Sequence, residues 1–529
     1  MAESRKDRQL TRARAGSGGD ARSDRVTAMA HAQSREARRH DTAKLIADGM
    51  SLLSAGRPGE VLHLIAQACP GGPADPRVLA QQAYAHAALG QVAQGLTAAN
   101  RAMRAPPADF WAFDLLGHAF TRCHRPDLAY AAFQRAEQAA PGRPDVLFNL
   151  ASAAAFVGFT DQAERAYDRV IAALPDHAEA YLNRSLLRRQ TPAGNHVAHL
   201  SAALGRVPSG WQQEVHLRYA LGKELEDLGD HDASFAQIAL GAAVRRRHMR
   251  YSVAEDVAAM ERIAAVHDVP WCAPARAAAV PGSGPIFILG MPRSGSTLLE
   301  RMLGLHTQVQ PLGELPCFGQ ALVEAFRAAT GRMPAGKGEL IDLSGGLDPA
   351  AIGQAYRGAV VPLRDGRARF TDKLPINFLY AGLIARALPD AMLLHIRRRP
   401  LDLCFAVFKT LFRDAYPFSY DLTELGTYHR AYQALMDHWR HALGSRLVEI
   451  DYEDLVAQPR QALARLLPLL GLDFEDACLT PEANRSAVMT ASAAQVRLPI
   501  HTSSVGSAAH YKRHLEPLWA ALADPPVSA

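Results

Sequence analysis

The stretch Pro285-Ile-Phe-Ile-Leu-Gly-Met-Pro-Arg-Ser-Gly-Ser-Thr-Leu-Leu299 decides how the second half of this chain is read. Its first residues make a short apolar run, fit for a strand buried on both faces of a parallel sheet. Its last residues, continued by Met302 and Leu303, set apolar side chains at helical spacing. Strand, Gly/Ser-rich turn and helix in that order aim backbone N–H groups and a helix N-terminus at one point, where a phosphate or sulfate is held. Gly290 and Gly295 keep the G-x-x-x-x-G spacing of a nucleotide-triphosphatase loop, but Ser296 stands where the lysine should follow. ATP hydrolysis on Mg²⁺ therefore lacks its charge partner. Arg293, inside the loop, offers an oxyanion a planar, bidentate donor instead.

Working downstream, Ala391-Met-Leu-Leu-His-Ile396 reads as a second buried strand, ending in Arg397-Arg-Arg-Pro-Leu-Asp402. Arg446-Leu-Val-Glu-Ile-Asp-Tyr452 reads as a third, with Tyr452-Glu-Asp-Leu455 opening a helix. Between them, Phe370-Thr-Asp-Lys-Leu-Pro-Ile-Asn377 places Lys373 in a turn before a helix. Strands alternating with helical stretches predict a doubly wound parallel sheet. Three consecutive arginines at a strand's C-terminal edge sit where open α/β sheets bind ligands.

Upstream, the chain repeats itself. Gly56, Gly90, His124 and Gly158 stand 34 residues apart, as do Pro73, Pro107, Pro141 and Pro175, and Val61, Gly95, Ala129 and Ala163. Within a unit, Leu116, Ala119 and Phe120, then Leu128, Ala129, Phe133 and Ala136, follow helical spacing. The period predicts helical hairpins. Small residues in the Gly56 column are expected to let paired helices approach closely, with His124 loosening one crossing. The prolines stop each second helix. The array resembles the tetratricopeptide repeat over roughly residues 42–240, with two looser units, one ending near Pro208 and one carrying Gly229 in a late turn. Stacked units form a concave groove, either for capture of a peptide or protein or as a structural or dimerisation arm. Pro270, Pro274, Pro281 and Gly282 to Gly284 mark a linker. The expected layout is a disordered segment 1–41, the array 42–240, a helix and linker 241–284, an α/β domain 285–515 and a tail 516–529.

Composition narrows the function classes. In 529 residues, 48 % are hydrophobic and 21 % charged, a globular balance. A net charge of +5 is small for this length and does not call for nucleic acid. No run approaches the roughly 20 apolar residues that span a bilayer. The Arg-, Ser- and Gly-rich first 40 residues lack a secretory core. Six scattered cysteines without a CxxC pair signal neither zinc nor a disulfide framework. No metal-ligand constellation stands out, and a cytoplasmic protein is expected.

Arg293-Ser-Gly-Ser-Thr-Leu-Leu299, Gly313-Glu314, Asp372-Lys373-x-Pro375-x-Asn377, the Arg399-Pro-x-Asp402 stretch and Tyr452-Glu-Asp-Leu455, in this order, resemble a sulfotransferase. The likeness covers roughly residues 284–515, and the Arg-Ser-Gly loop is nearest to tyrosylprotein sulfotransferases. Fused to a tetratricopeptide array, the whole resembles a bacterial architecture. The resemblance implies an α-solenoid followed by a P-loop-like α/β domain, and 3′-phosphoadenosine 5′-phosphosulfate (PAPS) as donor.

By the same resemblance, Arg293, Ser294, Gly295, Ser296 and Thr297 hold the 5′-phosphosulfate, Arg398 the 3′-phosphate, and Tyr452 lies against the adenine. Glu314 aligns with the catalytic base, Lys373 with a lysine near the transferring sulfate, and Ser492 with a serine that contacts the donor side. Chemically, sulfuryl transfer asks for in-line positioning, a cation beside the leaving oxygen and a carboxylate for the acceptor proton. His306 is an alternative base. Ala406, Ser507 and Ala508 depart from the family pattern, with Lys512, Arg513 or Arg497 as possible substitutes. The implied acceptor is a hydroxyl, foremost a protein tyrosine, with carbohydrate and small phenols open. A non-catalytic repeat scaffold with a nucleotide-sensing domain is the rival from another class.

Overall fold

The computed structural model describes residues 41–206, 210–277, 284–412, 415–484, 486 and 495–523. Its contacts divide the chain into two units, Met1–Pro141 and Gly142–Ala529. The first is all helix: residues 41–54, then Pro58–Ala68, Pro76–Ala88, Val92–Arg104, Phe110–Arg122 and Pro126–Ala139. Proline occupies the first turn of Pro58–Ala68, Pro76–Ala88 and Pro126–Ala139, where its fixed φ suits a helix start and no N–H is lost. Pro107 falls just beyond a helix end, as the period predicts. This is the tetratricopeptide hairpin pattern.

The glycine column does a different task from the one expected. Gly56, Gly90 and Gly158 have φ of +69°, +73° and +92°, and a Cβ on Gly56 would meet nothing within 4 Å. They turn the chain out of each first helix in the left-handed conformation, and at Gly158 a Cβ would also meet a neighbour, the Arg497 guanidinium at 2.5 Å. His124 takes the same conformation at φ 57°, so it preserves the turn instead of loosening a crossing. Close approach is supplied one column on. Val61, Ala129 and Ala163 are wholly buried, and a Cβ on Gly95 would lie 3.3 Å from the Ala87 backbone N.

The second unit opens with further helices, Pro144–Val157, Thr160–Ala173, Ala178–Leu186, Val197–Arg206, Trp211–Asp227 and His231–Arg247. Pro208, expected to end a repeat, lies outside the described residues. Helices Val253–Val266 and Val269–Ala277 follow and pack on the long helix Leu422–Leu443. Then comes a five-stranded, all-parallel sheet: β1 (Ile286–Leu289), β2 (Val309–Pro311), β3 (Arg369–Lys373), β4 (Met392–Arg397) and β5 (Leu447–Asp451), in the order β2-β3-β1-β4-β5. Ile288 pairs with Lys373 on one side and Leu394 on the other, which makes β1 the central strand. The chain reverses its direction of growth there, and ligands of such sheets bind at that switch, beyond the strands' C-terminal ends.

β1, β4 and β5 are the three apolar runs of the sequence. β2 and β3 are additions, and Lys373 ends a strand rather than sitting in a turn. Arg-Phe-Thr-Asp-Lys looks too polar for a strand buried at every residue, yet each polar side chain has a partner. Arg369 Nε donates to the Gly284 carbonyl at 2.7 Å, Thr371 Oγ1 to Glu300 at 3.1 Å, and Tyr356 Oη to Asp372 at 3.0 Å. Paired burial replaces hydropathy as the reason for the strand.

The two glycine roles predict different costs. Gly56→Ala should lower stability by about 1 kcal/mol through backbone strain alone. Gly95→Leu, inside a helix, should cost more, about 1–3 kcal/mol, by prising helices apart. Urea unfolding followed by circular dichroism reads both; equal costs would refute the distinction.

Candidate functional site

The loop between β1 and the helix Ser296–Leu303 is held from several sides. Gly290 N donates to the Pro375 carbonyl at 3.1 Å, and its φ of 146° brings the backbone so close to β4 that a Cβ would lie 2.9 Å from the Ile396 carbonyl. Gly295, at φ 108°, caps the helix, and a Cβ there would lie 2.4 Å from the Tyr452 ring. Arg293 itself has φ 67°, a costly conformation for a side-chain-bearing residue and one that concentrates at ligand sites. Its side chain is half-buried, and burial, with the nearby Arg398 charge, pushes its pKa down to about 10. Ser294 Oγ is buried without a hydrogen-bond partner among the described residues. A half-buried cation, an unmatched hydroxyl and the first turn of a helix lie together along the loop. That cradle suits an anionic group with several acceptor oxygens.

Of the three arginines ending β4, one reaches the loop. Arg397 forks onto Asp451 at 3.0 Å through Nε and Nη2. Arg399 is exposed, with its backbone N on Glu453 at 3.0 Å. Arg398 donates to the Arg293 carbonyl at 3.0 Å and the Ser504 carbonyl at 2.7 Å, and lies 4.8 Å from the Tyr452 ring centroid. Stacking and the two carbonyls fix its plane. Tyr452 thus backs the loop glycine and the arginine together.

At the neighbouring strand end, buried Lys373 is ion-paired with Glu314, whose side chain is 38 % exposed. The carboxylate is therefore open to a reactant while its partner is not. Glu300, in the helix after the loop, positions this pair. Its Oε1 accepts from Gly313 N at 3.0 Å and from Thr371 Oγ1 at 3.1 Å, so it ties the residue before Glu314 to β3. Burial raises its pKa, against the attraction of Lys373. Asp372 is pushed up to about 8, chiefly by burial, although Tyr356 donates to it. Sequence reasoning missed Glu300. The available signal was a single acid on the otherwise apolar face of Leu299, Met302 and Leu303.

Other expectations receive a place. Both ring nitrogens of buried His306 are engaged by backbone: Nε2 with the Asp473 carbonyl at 3.0 Å, Nδ1 with Gln308 N at 3.1 Å. It is not free to act as a base. Arg497 turns to the end of the helix Pro144–Val157, donating to the Phe156 carbonyl at 2.6 Å. Arg513 Nε pairs with Asp232 at 2.8 Å. Both are occupied away from the loop, while Lys512 is exposed. Ala406 is buried in the helix Pro400–Phe408. Ser492 lies outside the described residues. Asp402 proves structural: its carboxylate accepts from Gly506 N at 2.8 Å and Ala508 N at 2.9 Å, capping the C-terminal turn Ser507–His514. Among the described residues no helix is long and apolar enough to cross a membrane.

Residues 285–476 match the model of the sulfotransferase family. An uncharacterized protein of Aquifex aeolicus (strain VF5) is 28 % identical over 392 residues, 73 % of this chain and 51 % of the relative. Protein-tyrosine sulfotransferase 2 of Gallus gallus is 28 % identical over 204 residues, 37 % of this chain and 53 % of the relative. The chain thus spans about half the length of the curated relatives it matches. Among solved structures, the sulfotransferase domain of the Synechococcus PCC 7002 olefin synthase is similar at 21 % identity and a TM-score of 0.28, covering 44 % of this chain and 95 % of that one.

Removing the Asp402 cap should free the C-terminal turn. Asp402→Ala leaves two backbone N–H groups without their acceptor, a loss of about 1–3 kcal/mol for each that stays buried. Hydrogen exchange should rise sharply across residues 506–514 and little in β1 or β4. Unchanged protection there would refute the capping role.

Proposed function

Because residues 285–476 form a sulfotransferase-family domain, we propose that the protein transfers the sulfuryl group of PAPS to a hydroxyl. The Lys373–Glu314 pair beside the loop carries this reading, since it joins a buried cation to an accessible carboxylate at the sheet's switch point. The loop Arg293–Thr297 holds the 5′-phosphosulfate through backbone N–H groups, the Arg293 guanidinium and the unmatched Ser294 hydroxyl. Arg398 takes the 3′-phosphate, and Tyr452 offers its ring to the adenine. Ser492 is assigned to the donor side as well.

In the transfer, a bond forms from the acceptor oxygen to sulfur as the bond from sulfur to the bridging phosphate oxygen breaks. Glu314 accepts the hydroxyl proton, and Lys373 stabilises the charge that collects on the leaving phosphate. Little covalent chemistry is left to the protein, so holding the reactants in line supplies most of the acceleration. We assign a peptide or protein tyrosine as acceptor, recruited by the tetratricopeptide groove. Support comes from the Gallus gallus relative, a protein-tyrosine sulfotransferase by name. The six free thiols fit a reducing compartment, and we place the activity in the cytoplasm.

Calorimetric titration with 3′,5′-adenosine bisphosphate, beside ATP with Mg²⁺, tests the donor site. Micromolar binding of the bisphosphate and none of ATP is expected; the reverse would overturn the reading. Glu314→Gln should keep that binding and lower kcat about 10²–10⁴-fold. Labelled-donor assays on tyrosine peptides, saccharides and small phenols then identify the acceptor.

A further inference from the structure

Between the helices Pro400–Phe408 and Leu422–Leu443, Tyr416 is held where bulky residues rarely go. Its φ of 56° and ψ of 55° are left-handed, although Pro417 follows and a residue before proline prefers an extended backbone. Neighbours hold this conformation. Ser419 N donates to the Tyr416 carbonyl at 2.9 Å, and the Tyr420 hydroxyl donates to the Phe412 carbonyl. The turn sets the half-buried Tyr416 ring edge-on to half-buried Phe412, with centroids 4.8 Å apart, and 5.9 Å from buried Phe418. Strain of this kind concentrates where a site demands one geometry.

Ring contacts carry this group to the candidate reaction centre. Phe418 stacks on Tyr428 with centroids 3.5 Å apart. One helical turn on, Tyr432 reaches both the loop and the exit of β3. A Cβ on Gly290 would lie 3.6 Å from the Tyr432 hydroxyl, and the Tyr432 ring is 4.9 Å from that of Phe378, which follows Lys373 in the same segment. β4 and β5 are parallel, so the helix Leu422–Leu443 between them runs against the strands. With Tyr432 level with the loop, Tyr428 and the rings on it stand about 6 Å further out, beyond the strands' C-terminal ends. Burial chiefly, and then the Glu314 charge, raise the proton affinity of the Tyr416 hydroxyl, in keeping with that position.

We propose that Tyr416, backed by Phe412 and Phe418, is the wall against which an aromatic acceptor lies while its phenolic hydroxyl reaches Glu314. The inference deepens the sulfotransferase reading and rests on it. A fixed ring recognises another ring by offset or edge-to-face contact. Because the strained backbone sets the Tyr416 ring in advance, binding does not have to order it. Tyr416 binds the acceptor and takes no part in proton transfer.

The test is Tyr416→Leu, which keeps apolar bulk on Phe412 and removes the ring. Labelled donor is supplied with 4-nitrophenol, N-acetyltyrosinamide or diacetylchitobiose, a saccharide. The variant should raise KM for both phenols about 3–10-fold, the scale of one aromatic pair. Its kcat and its binding of 3′,5′-adenosine bisphosphate should change little. Tyr416→Phe should recover most of the loss. Where melting shows the leucine variant unfolded, Phe412→Leu, which leaves Tyr416 in place without its support, should shift KM the same way. Unchanged KM for the phenols in a folded variant overturns the aromatic wall and leaves the donor site standing. So does transfer by the unsubstituted protein to the saccharide alone, or to none of the three. If the unsubstituted protein does not bind the bisphosphate, the sulfotransferase reading falls and takes this inference with it.

Discussion

A half-buried arginine on a left-handed backbone is the constraint around which the α/β unit is organised. Arg293 is displaced from ordinary conformational space and in part from water, and its lowered proton affinity records the second cost. Such a residue persists only where its surroundings over-determine it. Arg398 supplies part of that determination by donating to the Arg293 carbonyl while lying on Tyr452. Tyr452 in turn closes on Gly295, where no side chain fits. Below the loop, Tyr432 hydrogen-bonds with the Met291 backbone and with His395, whose Nδ1 is 3.1 Å from Glu449. Burial lowers the proton affinity of that imidazole, against the pull of the Glu449 carboxylate, and its two ring nitrogens link Tyr432 to Glu449.

The neighbouring strand shows the complementary solution. β3 carries Arg369, Asp372 and Lys373 through the interior, each tied to a partner from a different element. Glu300 then connects the helix after the loop, β3 and the turn holding Glu314 through one carboxylate oxygen. Loop and Glu314 turn are consequently parts of one assembly, because displacing either leaves buried polar groups unmatched.

This division explains what the sequence disclosed. β1, β4 and β5 were legible since their apolar runs make burial cheap, and the loop was legible since its glycines, serines and arginine are contiguous. The helical repeat was legible because a hairpin reused every 34 residues leaves the same residue at the same turn. Its glycines were still misread, since a small residue and a positive φ have one spelling in sequence; His124, sharing the conformation without being small, separates the two. β3 was hidden because its polar residues are matched by Gly284, Glu300 and Tyr356, and no local pattern announces a partner 16 to 85 residues away. Asp402 stood in a recognised motif, yet its acceptors' partners, Gly506 and Ala508, lie more than a hundred residues on.

Distance along the chain also bears on the departures at Ala406, Ser507 and Ala508. These three residues depart from the pattern of the family that the chain resembles. The C-terminal segment is nonetheless drawn onto Arg398 and the helix Pro400–Phe408 by main-chain and ring contacts. Asp402 binds its backbone, Arg398 takes the Ser504 carbonyl, and Tyr511 packs on Phe405 with centroids 4.2 Å apart. Ala508 is buried against this scaffold, where a larger side chain would have to displace it. Attachment of this segment depends on hydrogen-bonded backbone and one buried ring, and the identity of the residue at position 508 is set by packing.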